Sequence, residues 1–165
     1  MARARFAAAV ALVLAAIGGA WAAGAALAAE GEKPADASIT VLAIRAAKED
    51  KPYIDPALKA LADDLKKTAA SYNAFRLLMQ VPRSVAFGET KDVPLVEGYT
   101  LRVRPVQEKD DTIELALTMV LADKDPKEKP REILSTTLRI RKGKYMLLGG
   151  WRLKEGTLLT AVSAR

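Results

Sequence analysis

The chain has 165 residues, with 26 basic and 20 acidic side chains, no histidine and no cysteine. Half of the residues are hydrophobic and 28% are charged, a balance typical of a globular protein rather than a disordered one. Without histidine and cysteine there is no Ser-His-Asp or Cys-His catalytic system, no zinc or haem site built on these residues, and no thiol redox chemistry. We therefore expect a protein that is not an enzyme and that has no cofactor or metal ion.

The N-terminal residues have the organisation of a Sec-type signal peptide. Arg3 and Arg5 precede a run without charged residues, 6–29, and Ala26-Leu27-Ala28 has the A-x-A form that signal peptidase reads. This pattern predicts cleavage after Ala28, with the Ala20-Trp21-Ala22 triplet as an alternative site. An uncleaved signal anchor is the other interpretation, because the uncharged run is long enough to cross a bilayer. Both interpretations predict a periplasmic or secreted protein, and the lack of cysteine excludes a lipoprotein.

Composition divides the chain into a signal peptide (1–28), a polar tether (29–37) and one β-rich globular domain (38–165). Removal of the signal peptide takes away two arginines and no acid, which leaves 24 basic and 20 acidic side chains. This small excess of positive charge suits an anionic partner but is too small to indicate nucleic-acid binding.

The domain begins with a predicted strand, followed by the chain's clearest helical signal. Ser38–Ala46 is apolar and rich in β-branched residues, and a charged turn follows it at Lys48–Pro52. Asp55 is then a suitable N-cap and Pro56 suits the first helical position. Apolar residues recur at helical spacing after them, with charged residues between. We therefore predict one amphipathic helix over residues 56–70.

After the helix the apolar period changes to two, which indicates short strands joined by turns. The predicted strands are the alternating segment around Phe75, Leu77 and Met79 that Pro82 interrupts or ends, a short segment at 84–89, and the segments 99–104, 112–121, 134–141, 145–148 and 157–161. Turns are predicted at Thr90-Lys91-Asp92, 123–131, 142–144 and 154–156. Gly149-Gly150 is interpreted as a bend or bulge that lets Trp151 change face, or as a close approach to a neighbouring strand.

These elements predict an α+β fold. Parallel strands need long crossover connections, which the short turns here do not provide. We therefore expect a twisted antiparallel β-sheet or sandwich of about seven strands, with the helix packed on the inner face of the sheet.

Basic side chains on the predicted outward strand faces and adjoining turns are the main binding candidates. If their strands are neighbours, they form a basic patch suited to phospholipid head groups, acidic envelope glycans or an acidic protein. The alternative is that they only cover exposed strand faces and protect sheet edges. Nucleic acid is disfavoured because no aromatic residues are interleaved with them. The candidates are Arg102, Arg104, Arg139, Arg141, Lys144 and Arg152, together with Lys142 and Lys154.

Other polar motifs are interpreted as surface features. The adjacent acids Asp63-Asp64, Asp110-Asp111 and Glu49-Asp50 fall on the polar helix face or in turns, where catalytic carboxylates are not expected. Asp123-Lys124-Asp125 lacks the glycine and the distal glutamate of a calcium loop.

The C-terminal third resembles a group of small exported bacterial proteins of uncharacterised function. The similarity lies in Leu134–Leu138, in Lys142–Gly150 and in Gly156–Ala164, and the segment Ser71–Leu78 is also similar. The Leu-Leu-Gly-Gly hairpin is similar to the closing strands of outer-membrane secretin domains, although the secretin pattern includes a multimeric barrel and long preceding modules that this chain lacks. Neither resemblance implies a catalytic residue.

Three functions follow in order of preference. The first is a non-catalytic envelope protein that binds another protein or an anionic surface through a sheet edge or the basic face. The second is a periplasmic hydrolase that works through two facing carboxylates. The third is a binder of a small apolar ligand in a cavity within the sandwich.

Overall fold

The computed structural model describes residues 35–125 and 127–165, and within them nine strands form two sheets. The two sheets pack face to face, and one helical segment covers the outer face of the larger sheet. The α+β sandwich predicted from the sequence is therefore confirmed, with nine strands rather than about seven. The predicted signal peptide and the tether up to residue 34 lie outside the described residues.

The five-stranded sheet has the order β2-β3-β1-β9-β8. All of its pairs are antiparallel except the short parallel pair of β2 with β3, which corrects the expectation of a purely antiparallel arrangement. β1 begins two residues earlier than predicted, and Ala37 is already buried, so the last two residues assigned to the tether belong to the domain. The strands are β1 (Asp36–Ala47), β2 (Tyr53–Ile54), β3 (Ala74–Ala86), β8 (Tyr145–Arg152) and β9 (Thr157–Ala164).

The four-stranded sheet is an antiparallel meander with the order β4-β5-β6-β7. Its inner residues alternate with outer ones as the period of two predicts, so that Leu101, Leu115 and Leu117 are fully buried while their neighbours are not. The strands are β4 (Lys91–Pro94), β5 (Tyr99–Lys109), β6 (Thr112–Leu121) and β7 (Arg131–Arg141). β4 occupies the segment for which the sequence predicted a turn.

The helical segment begins as predicted but differs in type along its length. Asp55 caps it, because its Oδ1 accepts a hydrogen bond from the Ala57 N–H at 3.0 Å. Pro56–Leu61 is a 3-10 helix that continues into α1 (Ala62–Thr68). Its apolar stripe, including Leu58 and Leu65, packs on the face of the five-stranded sheet that points away from the other sheet. The sequence predicted packing on the inner face, which the four-stranded sheet covers instead.

A β-bulge at Leu78 reverses the side-chain alternation of β3. The register with β1 shifts there, so Phe75 and Leu77 pack under the helix while Met79 packs against the sandwich interior. The sequence placed these three residues on one face, which is wrong. The strand also continues through Pro82, because β2 covers only the start of β3 and the later part is a free edge, where a proline is tolerated.

The Gly149-Gly150 bulge predicted from the sequence is confirmed. The register of β8 with β9 shifts between Gly149 and Trp151, which places Trp151 with the sandwich interior. A Cβ on Gly149 would lie 2.7 Å from the Cα of Leu159, so only glycine allows the two strands to approach this closely. Within the described residues, no helix has the length and apolar character needed to cross a membrane.

Candidate binding surface

The outer face of the four-stranded sheet brings four of the predicted basic residues together. Arg102 and Arg104 project from β5, and Arg139 and Arg141 project from β7, with β6 between them. Hydroxyl and methyl side chains occupy much of the space between these arginines, because Thr118 and Ser135 share a row with Arg102 and Ala116 shares a row with Arg104. This surface, which we call the outer face, is the largest grouping of the predicted site residues.

Acidic neighbours neutralise part of this positive charge. Arg102 is paired with Asp92 at 3.3 Å, and the Nε of Arg139 donates to the Oε2 of Glu114 at 3.0 Å. The Arg139 hydrogen bond, with a second one from Gln107, lowers the pKa of Glu114. Arg141 lies 3.9 Å from Asp111, a weak and exposed pair. The outer face therefore carries paired positive and negative side chains rather than a continuous positive patch.

The other four predicted basic residues lie elsewhere. Lys142 lies in the β7–β8 turn and pairs with Glu108, and the N–H of Lys154 in the β8–β9 turn donates to the Glu97 carboxylate at 2.9 Å. Lys144 lies at the end of the turn that joins β7 to β8, and its N–H donates to the Arg141 carbonyl at 3.0 Å. Arg152 ends β8 in the five-stranded sheet, where its backbone carbonyl accepts a hydrogen bond from the Tyr99 hydroxyl at 2.8 Å. Arg152 is therefore not part of the outer face, because β8 belongs to the other sheet.

The backbone of β7 has one paired side and one free side. Lys142 N–H donates to the Asp111 carbonyl at 2.9 Å, and antiparallel pairing alternates from residue to residue. The backbone groups of Arg139, Thr137 and Ser135 therefore point away from β6. In the described part of the chain, no other backbone group bonds to them. The same residues place their side chains on the outer face.

β7 differs from the other free edges in that nothing interrupts it over residues 134–141. The free part of β3 contains a bulge at Leu78 and a proline at Pro82, and β4 has only four residues. β8 is broken by its diglycine bulge. Bulges, prolines and short lengths are devices that prevent an edge from pairing with another chain. β7 lacks glycine and proline, and its only irregularity is the register shift near its beginning.

The adjacent acids Asp63-Asp64 and Asp110-Asp111 lie at exposed positions. Asp63 and Asp64 lie on the exposed side of α1, and Asp110 and Asp111 form a hairpin turn. In the described residues, no group of three or more acidic side chains is positioned to hold a metal ion.

Hydrogen bonds from neighbouring side chains hold both the carboxylate and the backbone of Glu49 in place. Its carboxylate accepts hydrogen bonds from Arg76 at 3.1 Å and from Arg45 at 3.2 Å, while the Asn73 side chain bonds both the N–H and the carbonyl of its backbone. The Arg76 hydrogen bond is the largest cause that lowers the pKa of Glu49. A general acid requires the opposite shift.

A surface depression of about 330 Å³ lies beside Leu78, Val96 and Leu153, and a second depression lies at the helix side of the protein. This second depression has a volume of about 270 Å³ and mixed apolar and polar walls. Arg76 stacks over the ring of Tyr53 at 4.4 Å beside it. The interior between the sheets, in contrast, is filled by closely packed side chains that are almost fully buried. The lining residues of the second depression are Pro52, Tyr53, Ile54, Lys66, Tyr72, Asn73 and Phe75.

The sequence interpretation missed the contribution of Ser135 and Thr137, whose backbone groups form the free edge. The available signal was the run of β-branched and apolar residues without proline or glycine in β7. It also missed Asp92 and Glu114 as partners of the arginines, because these pairs depend on the register between strands.

No family model, no curated protein and no solved structure matches this chain. The resemblances given by the C-terminal segments therefore stay predictions.

Proposed function

We propose that this chain is a non-catalytic, exported envelope protein that binds a partner protein by adding an extended partner segment to β7. The observation that carries the proposal is the free backbone of Ser135, Thr137 and Arg139 on an uninterrupted edge. The signal-like N-terminal residues support export. The absence of histidine and cysteine supports a binding role, because it removes the catalytic systems built on these residues.

Partly buried apolar side chains beside β7 add to this proposal. Leu134 and Leu138 of β7, and Leu148 and Trp151 of β8, pack against the sandwich interior but keep part of their surface in solvent. A strand placed about 4.8 Å from β7 would cover that side of the sandwich. It would therefore gain apolar burial in addition to backbone hydrogen bonds.

Thr137→Pro tests the proposal at the backbone. The N–H that it removes points to solvent, so the native ladder loses no bond, while an added strand loses one and meets the proline ring. Thr137→Val is the matched control, because it changes the side chain and keeps the N–H. We expect tagged Thr137→Val protein to cross-link the same envelope proteins as the unchanged chain, and Thr137→Pro protein to lose them.

Amide hydrogen exchange gives a second measurement that does not depend on the proline variant folding. In the free protein the amides of Ser135, Thr137 and Arg139 should exchange rapidly, and those of Thr136 and Leu138 slowly. Binding of a captured partner should protect the first set. Equal capture by both variants, or a complex in which these three amides still exchange rapidly, would rule out strand addition at β7. Cell fractionation tests export, and a full-length cytoplasmic product would contradict that part.

A further inference from the structure

The side chains along the free edge of β7 indicate which partner segment the edge prefers. The outer row of β7 consists of Ser135, Thr137, Arg139 and Arg141, two neutral residues followed by two cationic ones. Lys144 follows in the β7–β8 turn, where its N–H donates to the Arg141 carbonyl at 3.0 Å. The half of the edge nearest that turn is therefore basic.

Each of the two arginines has its acidic partner on the β6 side only. Glu114 lies opposite Arg139 across the sheet, and the Arg139 side chain is nevertheless 75% exposed. Asp111 lies 3.9 Å from Arg141, whose side chain is 70% exposed. A strand added on the free side would place its own side chains about 5 Å from these arginines, within reach of ion pairing. Acidic side chains there would give Arg139 and Arg141 a second acidic neighbour each, on the side opposite to Glu114 and Asp111.

The spacing along β7 sets the spacing in the partner. Arg139 and Arg141 are two residues apart on the same face, so the matching acids must also be two residues apart. The residue between them would face Ile140 and the partly exposed Leu138 at the open side of the sandwich. We infer that β7 selects an extended peptide segment with acidic side chains at alternate positions and apolar residues between them. This inference rests on the proposed function.

Pairing of β7 with the β7 of a second copy does not satisfy these requirements. The outer row of that β7 offers only serine, threonine and arginine in the regular part of the strand, 134–141. Antiparallel pairing of two copies therefore brings no acid opposite Arg139 or Arg141 and leaves two basic edges side by side. Like charges placed opposite each other destabilise a sheet. The charge pattern favours a different, acidic segment.

Synthetic peptides test the inference directly. The probes are two nine-residue peptides with blocked ends, one with glutamate at every second position and valine or threonine between, the other with lysine in place of glutamate. Fluorescence polarisation with the purified full chain should give about tenfold tighter binding of the glutamate peptide, and added salt should reduce the difference. In Arg139→Glu/Arg141→Glu the preference should reverse. Arg139→Gln/Arg141→Gln, which places no new acid beside Glu114, should remove the preference without reversing it.

The variants separate the two proposals. If Thr137→Pro loses both peptides while Thr137→Val binds glutamate and lysine peptides equally, the edge binds strands but the acidic preference is wrong. If Thr137→Pro binds the glutamate peptide as tightly as Thr137→Val does, the acids contact the outer face without strand addition, and both proposals fail. Heparin serves as a polyanion without a peptide backbone. Heparin binding that displaces the glutamate peptide and survives Thr137→Pro would identify an anionic-surface site instead.

Discussion

The two sheets of this protein differ in how many of their faces are covered. In β9 of the five-stranded sheet every residue from Leu158 to Ala164 is buried, because the other sheet covers one face and the helix covers the other. In β6 of the four-stranded sheet buried and half-buried residues mostly alternate. The same contrast is visible in composition, since β9 has no charged residue and apolar residues on both faces, whereas β6 mostly alternates. The outer face of the four-stranded sheet is therefore exposed, whereas the helical segment packs on the outer face of the five-stranded sheet.

The largest expected effect is the loss of stability when an aspartate replaces a buried residue of the five-stranded sheet, compared with an aspartate on the outer face of the four-stranded sheet. Leu159 is buried under the helix, so Leu159→Asp puts an unpaired carboxylate in an apolar layer and should cost about 4 kcal/mol or more. Thr118→Asp puts the same group on the outer face opposite Arg102 and should cost about 1 kcal/mol or less. Urea unfolding of both variants measures the difference. Equal losses would show that the helix does not cover the second face of the five-stranded sheet.

A smaller change, which increases stability, is expected at Thr160, a buried residue of β9 whose hydroxyl lacks a hydrogen-bond partner in the described residues. The Thr160 hydroxyl is fully buried, and no hydrogen-bonding group in the described residues reaches it. Thr160→Val keeps the shape, removes the unsatisfied group and should stabilise the protein by about 1 kcal/mol. Thr157→Val in the same strand is the control. Its hydroxyl is 2.8 Å from that of Tyr72, so this change should destabilise by a similar amount. A loss of stability in Thr160→Val would mean that the hydroxyl has a partner.

Periodicity in the sequence was sufficient to predict the elements with one covered face. The alternation in β5, β6 and β7 correctly placed Arg102, Arg104, Arg139 and Arg141 outward, and the Asp55-Pro56 pair correctly placed the start of the helical segment. These features are local, so a single sequence contains them.

Features that depend on pairing between distant strands could not be predicted. The bulge at Leu78 leaves no mark, because Leu77, Leu78 and Met79 are all apolar and either face would accept them. β2 and β4 are too short to show a period. The sheet to which β8 belongs decides where Arg152 lies, and the free edge of β7 exists only because no further strand pairs with it. The sequence was therefore sufficient to predict which side chains of the candidate surface face outward. It was not sufficient to predict which strands are neighbours or which edge is free.

The smallest expected effects concern two glutamates, Glu49 in the loop between β1 and β2 and Glu114 in β6, whose pKa values are both lowered from the ordinary 4.5. Arg76 is the main cause for Glu49, and Arg139 for Glu114. A lowered pKa in the folded state means that the folded protein holds fewer protons than the unfolded chain on acidification. The contribution to stability is therefore complete above the unfolded pKa and is lost as the pH falls through the lowered value.

Glu49→Gln and Glu114→Gln remove these titrations. Each variant should be less stable than the unchanged protein near pH 7, and the gap should close as the pH falls below about 4.5. We expect the larger gap for Glu49, because it bonds two arginines and fixes the loop before β2 to β3, whereas Glu114 bonds one arginine and Gln107 on the outer face. Thermal unfolding across this pH range, repeated at high salt to screen the pairs, measures both gaps. A gap that widens on acidification would contradict the assigned direction of the pKa shift. A larger stability gap for Glu114→Gln than for Glu49→Gln would show that the ion pair on the outer face contributes more to stability than the two arginine contacts of Glu49.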